Sequence, residues 1–401
     1  MRFKITSLCA AIICGLSAGC ASPLSPDQSE ISTETGDDAL FQALAIPDSW
    51  PSVRIAMKDA IRPAKFYAQG LSDVQTGRTA QINDQFPIAS VTKALTAIVV
   101  LQLIEAGELG EENRIVDLLP DGRLTGVPNA EAITLGLLDH SSGLYAPNNN
   151  LDYLSRWLGS RFEPAFNPGT SYFLDLARQE APTHAPGDGH AYSDLNYLLL
   201  GNIVEQVTGQ PFQHVVRAQV FDPLGLDDTY FVADGAPTPA HESRLVRGYL
   251  ATSPELESFL TLSDAFETAA PGLLDTSAAY AALPAASGVV SSLDDLASLF
   301  DAVLNQDFLA PSSRARFIRA LTRLRAGAPA TVQDIATAIE TEHGPLLRFA
   351  GDGTGVAAAV FWDAPTRTII IAHTNVYGHF DEHQIMAHDI AVPLLQRGNL
   401  E

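Results

Sequence analysis

The chain has 401 residues, 46% of them hydrophobic, which is typical of a globular protein with one large domain or two intertwined ones. Its formal net charge of −23 argues against nucleic-acid binding, since a phosphate backbone requires clustered Lys and Arg side chains, and instead favours the solubility of a secreted protein. All three cysteines, Cys9, Cys14 and Cys20, lie near the N-terminus, so the sequence beyond them predicts no disulfide, no cysteine-based metal site and no cysteine nucleophile.

The N-terminal segment has the pattern of an export signal. A basic start precedes a short apolar stretch at 8–16, which is too short to span a membrane. The run Leu16-Ser-Ala-Gly-Cys20 resembles the cleavage box of bacterial lipoproteins, in which the cysteine becomes the lipidated N-terminus. We therefore expect a signal peptide at 1–19 and an exported protein, periplasmic or anchored to the outer membrane through a lipid on Cys20 alone. Ordinary signal cleavage near Ala21 is the alternative.

The next segments predict a tether, then strands, then a buried helix. Residues 20–45, which are rich in Asp, Glu, Ser and Thr, predict a disordered tether. Short apolar stretches at 54–68 and 70–73, separated by turn residues, predict antiparallel strands. From Ser90 to Ala106 apolar residues cover every side of a helix, so this helix should be buried all round and end near Gly107.

Ser90 and Lys93, at the start of this helix, are the first candidates for chemistry. They lie three residues apart, which places both side chains on one helix face, one turn apart. A serine hydroxyl becomes a good nucleophile when a nearby base removes its proton, and burial should lower the pKa of Lys93 so that it can act as that base. The helix N-terminus also favours negative charge developing beside Ser90. The alternatives are that Ser90 is only a helix cap and Lys93 only a partner for a buried acid.

The middle of the chain mixes helices and loops, and strands return near residue 285. The strongest helix of the middle is predicted from about Asp194 to Val207, closed by Gly209. Beyond 285 the predicted elements are a strand at 287–291, a helix opened by a capping box at 292–295, a hairpin with strands at 356–362 and 368–372, and a final helix at roughly 381–396, interrupted or ended near Pro393.

Four segments resemble, in order, the signature of one enzyme family. They are FPIASVTKALT at 86–96, ITLGLLDHSSGL at 133–144, Pro-Gly at 186–187 with YSDLNYLLLG at 192–201, and PAASGVVSSLDDL at 284–296. Together they are similar to the nucleophile segment, the His-Thr-Ser-Gly-Leu turn, the Tyr-x-Asn segment and the Pro-Ala-Gly-Gly strand of serine β-lactamase-related hydrolases. This family includes class C β-lactamases, D-alanyl carboxypeptidases and family VIII esterases, and the resemblance covers about residues 50–395.

The resemblance implies an α/β (α+β) fold of the β-lactamase/transpeptidase type. In this fold an antiparallel β-sheet flanked by helices is built from 46–110 and 285–401, and a mainly helical domain is inserted at 111–284. It also implies that catalysis needs no metal or organic cofactor. The expected partner is a small-molecule ester or amide, or a peptide, and the sequence leaves the oligomeric state open.

The resemblance also assigns roles in the site. Ser90 attacks a carbonyl and becomes acylated, while Lys93 and Tyr192 handle its proton. Asp194 replaces the asparagine that the family has two residues after the tyrosine. As a neighbour of Lys93 its carboxylate would raise the lysine pKa and shift the task of the base to Tyr192. Asp194 could also be the N-cap of its helix, and the two roles are compatible.

The third element of the family pattern is altered in this chain. The family carries Lys-Thr-Gly or His-x-Gly on a strand facing the serine, and alignment back from Thr354-Gly355-Val356 places Phe349-Ala350-Gly351 there, without a cation. Phe349 and Gly351 are therefore candidates for the substrate pocket. The backbone amides of Ser90 and Asp352 are expected to form an oxyanion hole. Loss of the cation argues against substrates anchored by a carboxylate and favours a neutral ester or amide.

Two other functions remain open at this point. One is a catalytically degenerate member of the fold, kept as an envelope binding or scaffold protein. The other is a D-alanyl or D-amino-acid peptidase, or a weak β-lactamase. Of the ten histidines, His379, His383 and His388 lie close together in sequence, but a solvated helix face is favoured there over a metal site.

Overall fold

The computed structural model describes residues 38–147, 168–252, 266–277, 280, 283–322, 336–341, 344–353, 355–378 and 382–398. The helices are α1 (Asp38–Gln42), α2 (Thr92–Glu105), α3 (Ile115–Leu118), α4 (Thr170–Gln179), α5 (Asp194–Thr208), α6 (Phe212–Val216), α7 (Asp222–Leu224), α8 (Pro239–Arg244), α9 (Leu293–Asn305), α10 (Pro311–Thr322), α11 (Glu382–Ile385) and α12 (Val392–Gly398). The strands are β1 (Ser52–Lys58), β2 (Lys65–Asp73), β3 (Arg78–Thr79), β4 (Phe86–Pro87), β5 (Tyr230–Phe231), β6 (Tyr249–Ala251), β7 (Glu267–Ala270), β8 (Leu273–Asp275), β9 (Val289–Ser291), β10 (Ala336–Thr341), β11 (Gly344–Gly353), β12 (Val356–Asp363), β13 (Thr368–Thr374) and β14 (Val376–Tyr377).

A seven-stranded sheet forms the centre of the molecule, in the order β10-β11-β12-β13-β1-β2-β3. Each of its pairs is antiparallel. Strand β1, from the N-terminal part of the chain, lies between β13 and β2, with Val53 opposite Thr374 and Met57 opposite Lys65. The predicted antiparallel sheet built from both ends of the chain is therefore confirmed.

Both faces of this sheet are covered. On β12, Ala357 and Phe361 pack into an apolar cluster with residues of α1 and of the C-terminal helical segment. Ala358 and Val360 point the other way, into a larger cluster that contains α2, α5 and α9. Because successive side chains of a strand point to opposite faces, β12 is apolar throughout its length, as expected of a strand between two layers of helices.

Helix α2, which follows the candidate nucleophile, lies deep in the larger cluster. Ten of its 14 residues are buried, and it packs against α5 and α10. Its last residue is Glu105, and the chain turns at Gly107, where φ is +76°. The prediction of a helix buried all round therefore holds for ten of its residues, and the predicted end near this glycine is confirmed.

The predicted tether is wrong in its last part. Residues 38–42 form α1, and Leu40 and Phe41 are buried. The ring of Phe41 stacks on that of Tyr67, a residue of β2, with centroids 5.3 Å apart. Burial of these two apolar side chains stabilises the helix, although the segment around it is acidic in composition. Residues 1–37, which include the predicted signal peptide, Cys20 and most of the tether, lie outside the described residues.

In its described residues the inserted segment contains, besides the predicted helices, short strands that the sequence pattern did not indicate. Strand β5 pairs with β9, and β9 also pairs with β4, the strand just before the nucleophile. Strands β6, β7 and β8 form a second small sheet with β14, in the order β14-β6-β8-β7. These strands are two to four residues long, too short to display an alternating apolar pattern in the sequence.

The C-terminal helical segment does not end at Pro393, but its α-helical geometry is interrupted just before this residue, which is one of the two outcomes predicted. Helix α11 passes into a π-helical stretch, Met386–Ala391, which continues directly as α12. A π turn shifts the backbone ladder by one residue, which accommodates a proline that has no N–H to contribute. Within the described residues, none of the helices combines the length and apolar character needed to cross a membrane.

Candidate active site

Ser90 lies in a strained turn at the entrance to α2. It is the middle residue of a single 3₁₀ turn, Ala89–Val91, which leads directly into the helix. Ala89 has a φ of +44°, in the left-handed region that residues with a Cβ rarely adopt. Such strain costs on the order of 1 kcal/mol and is tolerated where the surroundings fix the backbone. Here the amide of Ile88 donates to the carbonyl of Val289, at 3.0 Å, and fixes the start of the turn.

Lys93 is fully buried one turn further along. Its Nζ donates to Ser90 Oγ at 3.1 Å and to the carbonyl of Ala286 at 2.8 Å, and lies 2.6 Å from Asp194 Oδ1. Burial lowers the pKa of Lys93, and the carboxylate of Asp194 opposes this effect. Two roles were predicted for Lys93, as a neighbour of the Ser90 hydroxyl and as the partner of a buried acid. Both describe it, because its Nζ contacts Ser90 and Asp194.

Tyr192 completes the contacts of the serine hydroxyl. Its OH lies 2.6 Å from Ser90 Oγ and donates to Asp194 Oδ1 at 3.3 Å. Burial, reinforced by the charge of Asp194, raises the pKa of Tyr192 well above its usual value. The phenol is therefore neutral at neutral pH. It precedes α5, in the loop where the sequence predicts it.

Asp194 is the first residue of α5, and Ser193 is the N-cap. The interpretation of Asp194 as the helix cap is thus wrong by one residue. Its carboxylate instead contacts Lys93, the partner expected from its place in the family pattern, and also accepts a hydrogen bond from Tyr192. The structure brings Ser90, Lys93, Tyr192 and Asp194 together although the first and last are more than 100 residues apart in the chain.

His140 was given no role in the sequence analysis, yet it supports Tyr192 directly. The two rings stack with centroids 4.6 Å apart and planes inclined by 30°. His140 Nδ1 accepts a bond from the amide of Ser193 at 3.2 Å and lies 3.2 Å from the side-chain amide of Asn196. Burial lowers the pKa of His140 well below its usual value, so the ring is neutral. The only signal in the sequence was its place in the segment at 133–144.

Gly351 lies against the turn that carries Ser90. A Cβ at this position would come within 2.3 Å of the carbonyl oxygen of Ile88 and 2.9 Å of the amide nitrogens of Ser90 and Val91. Only glycine allows so close an approach of β11 to the turn, which supports the alignment that places Gly351 opposite the serine. The amide of Asp352 follows Gly351 in the strand, and its part in an oxyanion hole with the Ser90 amide stays a prediction.

Phe349 is not part of the substrate pocket in this structure, which corrects the prediction. Its side chain is fully buried, and its ring lies 5.0 Å from that of Phe300, in α9, and 5.8 Å from that of Phe317, in α10. Residues two apart in a strand share a face, so Phe349 and Gly351 point to the same side of the sheet. Helices α9 and α10 cover this side of the sheet at Phe349, so its apolar ring is buried between them and the strand.

His383 lies beside Asp352, the residue of β11 that follows Gly351. The sequence analysis favoured a solvated helix face for His383, and that prediction is wrong. Its side chain is buried, and its Nε2 lies 2.5 Å from Asp352 Oδ1. His379, grouped with it in the sequence analysis, falls outside the described residues. Across the described ranges, no group of three or more His, Cys, Asp or Glu side chains is placed to hold a metal ion.

Comparisons with known proteins agree with this geometry. The family model named Beta-lactamase matches residues 43–392. Esterase EstB from Burkholderia gladioli is 30% identical over 342 residues, which are 78% of this chain and 77% of the esterase. Penicillin-binding protein 4 from Amycolatopsis lactamdurans is 31% identical over 192 residues, which are 47% of this chain and 46% of that protein.

Solved structures show the same fold. The D-amino acid amidase from Ochrobactrum anthropi SV3 matches with a TM-score of 0.71 at 19% identity, over 87% of this chain and 95% of the amidase. A penicillin binding protein from Bacillus halodurans matches with a TM-score of 0.63 at 21% identity, over 84% and 96% of the two chains. The predicted fold class is confirmed. By its sequence, its fold and the placement of Ser90, the chain belongs to the β-lactamase family and is a β-lactamase-related serine hydrolase.

Proposed function

We propose that the protein hydrolyses a neutral ester or amide through an acyl-enzyme formed on Ser90. The observation that carries this proposal is the contact of Ser90 Oγ with both Tyr192 OH, at 2.6 Å, and Lys93 Nζ, at 3.1 Å. A serine that touches two groups able to hold or release a proton has the surroundings that acyl transfer requires. The similarity to an esterase over more than three quarters of each chain supports ester hydrolysis.

The reaction proceeds in two halves. Ser90 Oγ attacks the substrate carbonyl as its proton leaves, and the amides of Ser90 and Asp352 stabilise the oxyanion. Collapse of the tetrahedral intermediate expels the alcohol or amine, which takes up a proton. Water then attacks the acyl-enzyme by the same route and releases the acid.

The charges around β11 favour a neutral substrate. In the family pattern a cation on this strand faces the serine, whereas the equivalent residue here, Phe349, is buried among aromatic rings. The one basic residue of the strand, Arg348, is adjacent to Phe349 and so points to the opposite face. The side chain of Asp352, which follows Gly351, points like that of Arg348 to the opposite face, where it contacts His383, so neither charge of this strand is placed to meet a substrate carboxylate at Ser90.

Short-chain neutral esters should therefore be cleaved with much higher kcat/KM than nitrocefin. One missing charged hydrogen bond to a substrate carboxylate is worth about 1.5–3 kcal/mol, which is about ten- to a hundredfold in rate. Steady-state kinetics on p-nitrophenyl butyrate and nitrocefin with one preparation measure the ratio. Nitrocefin turnover equal to ester turnover would show that another cation serves the site and that the neutral-substrate proposal is wrong.

A peptidase function is the second candidate, because a penicillin-binding protein shares 31% identity with nearly half of the chain. Acyl transfer from an amide uses the same nucleophile and differs in the leaving amine. A D-Ala-D-Ala peptide included in the same assay decides between the two. Hydrolysis of the peptide faster than of the ester would favour the peptidase.

We further propose that the protein is anchored to the outer membrane through a lipid on Cys20. The small residues before Cys20 support cleavage there, and the polar stretch at 22–37 provides a spacer. Globomycin, which blocks lipoprotein signal cleavage, should cause a membrane-bound precursor to accumulate, as detected by fractionation and intact mass. A mature chain that lacks a lipid and begins after Cys20 would instead establish ordinary secretion.

A further inference from the structure

Four side chains of the site form a closed ring of contacts. Lys93 Nζ lies 3.1 Å from Ser90 Oγ, which lies 2.6 Å from Tyr192 OH. Tyr192 OH lies 3.3 Å from Asp194 Oδ1, which returns to Lys93 Nζ at 2.6 Å. A fifth contact joins Lys93 Nζ to the carbonyl of Ala286, at 2.8 Å.

The number of protons available to these contacts depends on the charge of Lys93. An ammonium supplies three protons, for Ser90, Ala286 and Asp194, while the hydroxyls of Ser90 and Tyr192 supply one each. All five contacts are then hydrogen bonds. Three of them form a chain in which Lys93 donates to Ser90, Ser90 to Tyr192 and Tyr192 to the carboxylate of Asp194. With a neutral amine, whose lone pair would accept from Ser90 Oγ, and an ionised carboxylate, one proton is missing. Tyr192 can then donate to Ser90 or to Asp194 but not to both, so one of these two contacts lacks a hydrogen bond.

The same number of protons could also be arranged in reverse, with a neutral Lys93 and a protonated Asp194. That arrangement requires a carboxyl group to hold a proton in preference to an amine, against an ordinary pKa difference of about six. Burial of Lys93 reduces this difference, and the carboxylate beside it opposes the reduction. The ion pair at 2.6 Å favours the charged forms of both groups. The geometry therefore supports an ammonium on Lys93 and leaves the carboxylate as the group in the ring that can accept a proton.

We propose that Asp194 is the terminal proton acceptor of the acylation step and that Tyr192 relays the proton of Ser90 to it. This inference rests on the proposed acyl-enzyme function and assigns the base within it. Lys93 keeps its proton throughout and holds Ser90 Oγ and the carboxylate in place. The chain differs here from the pattern it resembles, in which an asparagine stands at the position of Asp194 and cannot take up a proton.

Each bond change balances along this path. As the bond from Ser90 Oγ to the carbonyl carbon forms, the serine proton moves to the oxygen of Tyr192, and the tyrosine proton moves to Asp194 Oδ1. When the bond to the leaving group breaks, Tyr192 gives a proton to the departing oxygen or nitrogen and recovers one from Asp194. The raised pKa of Tyr192 agrees with a relay that exchanges protons without becoming a stable phenolate.

The proposal fixes the direction of the pH dependence. The titratable groups around Asp194 include Lys93 from α2, Tyr192 from the loop before α5 and, behind these, His140, His190 and Tyr197. Tyr192, Tyr197 and the imidazole of His140 are neutral near pH 7, because burial raises the pKa of each phenol and lowers that of the histidine. Activity should thus rise with pH in the acidic range, where a carboxylate loses its proton.

The test is the rate of Ser90 modification by a fluorophosphonate probe, measured from about pH 4 to about pH 10 in the wild type and in Asp194→Asn. We expect the substitution to slow labelling at neutral pH about a hundredfold. The remaining activity should depend on deprotonation of Lys93, so the half-maximal pH should move upward. If Lys93 is instead the base of the wild-type protein, the substitution removes a carboxylate that raises the lysine pKa. Labelling would then be as fast or faster, and the half-maximal pH would move downward.

Control variants distinguish a failure of the role proposed for Asp194 from a failure of the acyl-enzyme function. Asp117→Asn, an exposed aspartate of α3, makes the same chemical change away from the site and should leave the profile unchanged. Tyr192→Phe cuts the relay but keeps the ion pair, and should shift the profile as Asp194→Asn does. Circular dichroism checks that Asp194→Asn folds. If it does not, the pH profiles of the wild type and of Tyr192→Phe still test whether Asp194 accepts the proton. Absence of wild-type labelling at Ser90 would overturn the acyl-enzyme function itself, whereas normal labelling with a downward shift would overturn only the role of Asp194.

Discussion

Replacement of Ser90 by alanine should abolish both fluorophosphonate labelling and the hydrolysis of p-nitrophenyl butyrate. Among the described residues, Ser90 is the hydroxyl that contacts both Tyr192 OH and Lys93 Nζ, so its loss removes the atom that would carry the acyl group. The free energy of unfolding should change by only about 1 kcal/mol, because Ser90 is the N-cap of neither the 3₁₀ turn nor α2 and a typical hydrogen bond contributes a net of about 1 kcal/mol. Intact mass after incubation with the probe, initial rates and thermal unfolding measure the three effects.

Ser243→Ala, at an exposed serine of α8, is the matched control and should label and turn over like the wild type. Equal ester turnover by Ser90→Ala and the wild type would refute the mechanism. A wild-type protein that neither labels nor turns over any ester would instead favour the non-enzymatic scaffold.

Gly351→Ala should reduce kcat/KM for the ester by about a hundredfold. The new methyl carbon would lie 2.3 Å from the carbonyl oxygen of Ile88, so strand and turn must move apart by about 1 Å. A displacement of that size between nucleophile and oxyanion donors costs roughly two orders of magnitude in rate, and the crowding costs about 1–3 kcal/mol of stability. Ester kinetics and chemical denaturation of the same preparation measure both effects.

Gly353→Ala, two residues further along β11, is the control for this substitution. A Cβ there would meet the side chains of Val356 and Ala89 at 3.2 and 3.4 Å, contacts that small shifts relieve. We expect less than a threefold change in kcat/KM by the same reasoning about displacement. Equal losses in the two variants would mean that strand β11 responds as a whole and that Gly351 has no special contact with the turn.

The sequence predicted the parts of the site that local geometry determines. Ser90 and Lys93 meet because helical residues three apart share a face, and this spacing can be read without knowing the fold. The contact of Ser90 with Tyr192 joins segments about 100 residues apart, and no periodicity within either segment reveals it. It could be predicted only from the resemblance to a family in which both segments recur in order.

The errors have physical causes that single segments do not reveal. The alternation of β11 identified the face shared by Phe349 and Gly351, but the depth of each position depends on α9 and α10, which cover only part of the strand. His140 was missed because its importance comes from stacking on a ring in another loop. Residues 38–42 were assigned to a tether on composition, which does not register a few buried side chains in an acidic segment.

The position of β1 between β2 and β13 affects how the protein folds during its synthesis. The hydroxyl of Thr374 donates to the carbonyl of Ser52, a closure of 322 residues, so the first long strand lacks its neighbour until nearly the whole chain has been synthesised. Native contacts so distant in sequence make folding slow, because the entropy of a very large loop must be lost before they form. Strand β11, which supports the Ser90 turn, also comes late in the chain. A nascent polypeptide is therefore inert, and hydrolysis begins only once the C-terminal strands have joined the N-terminal one.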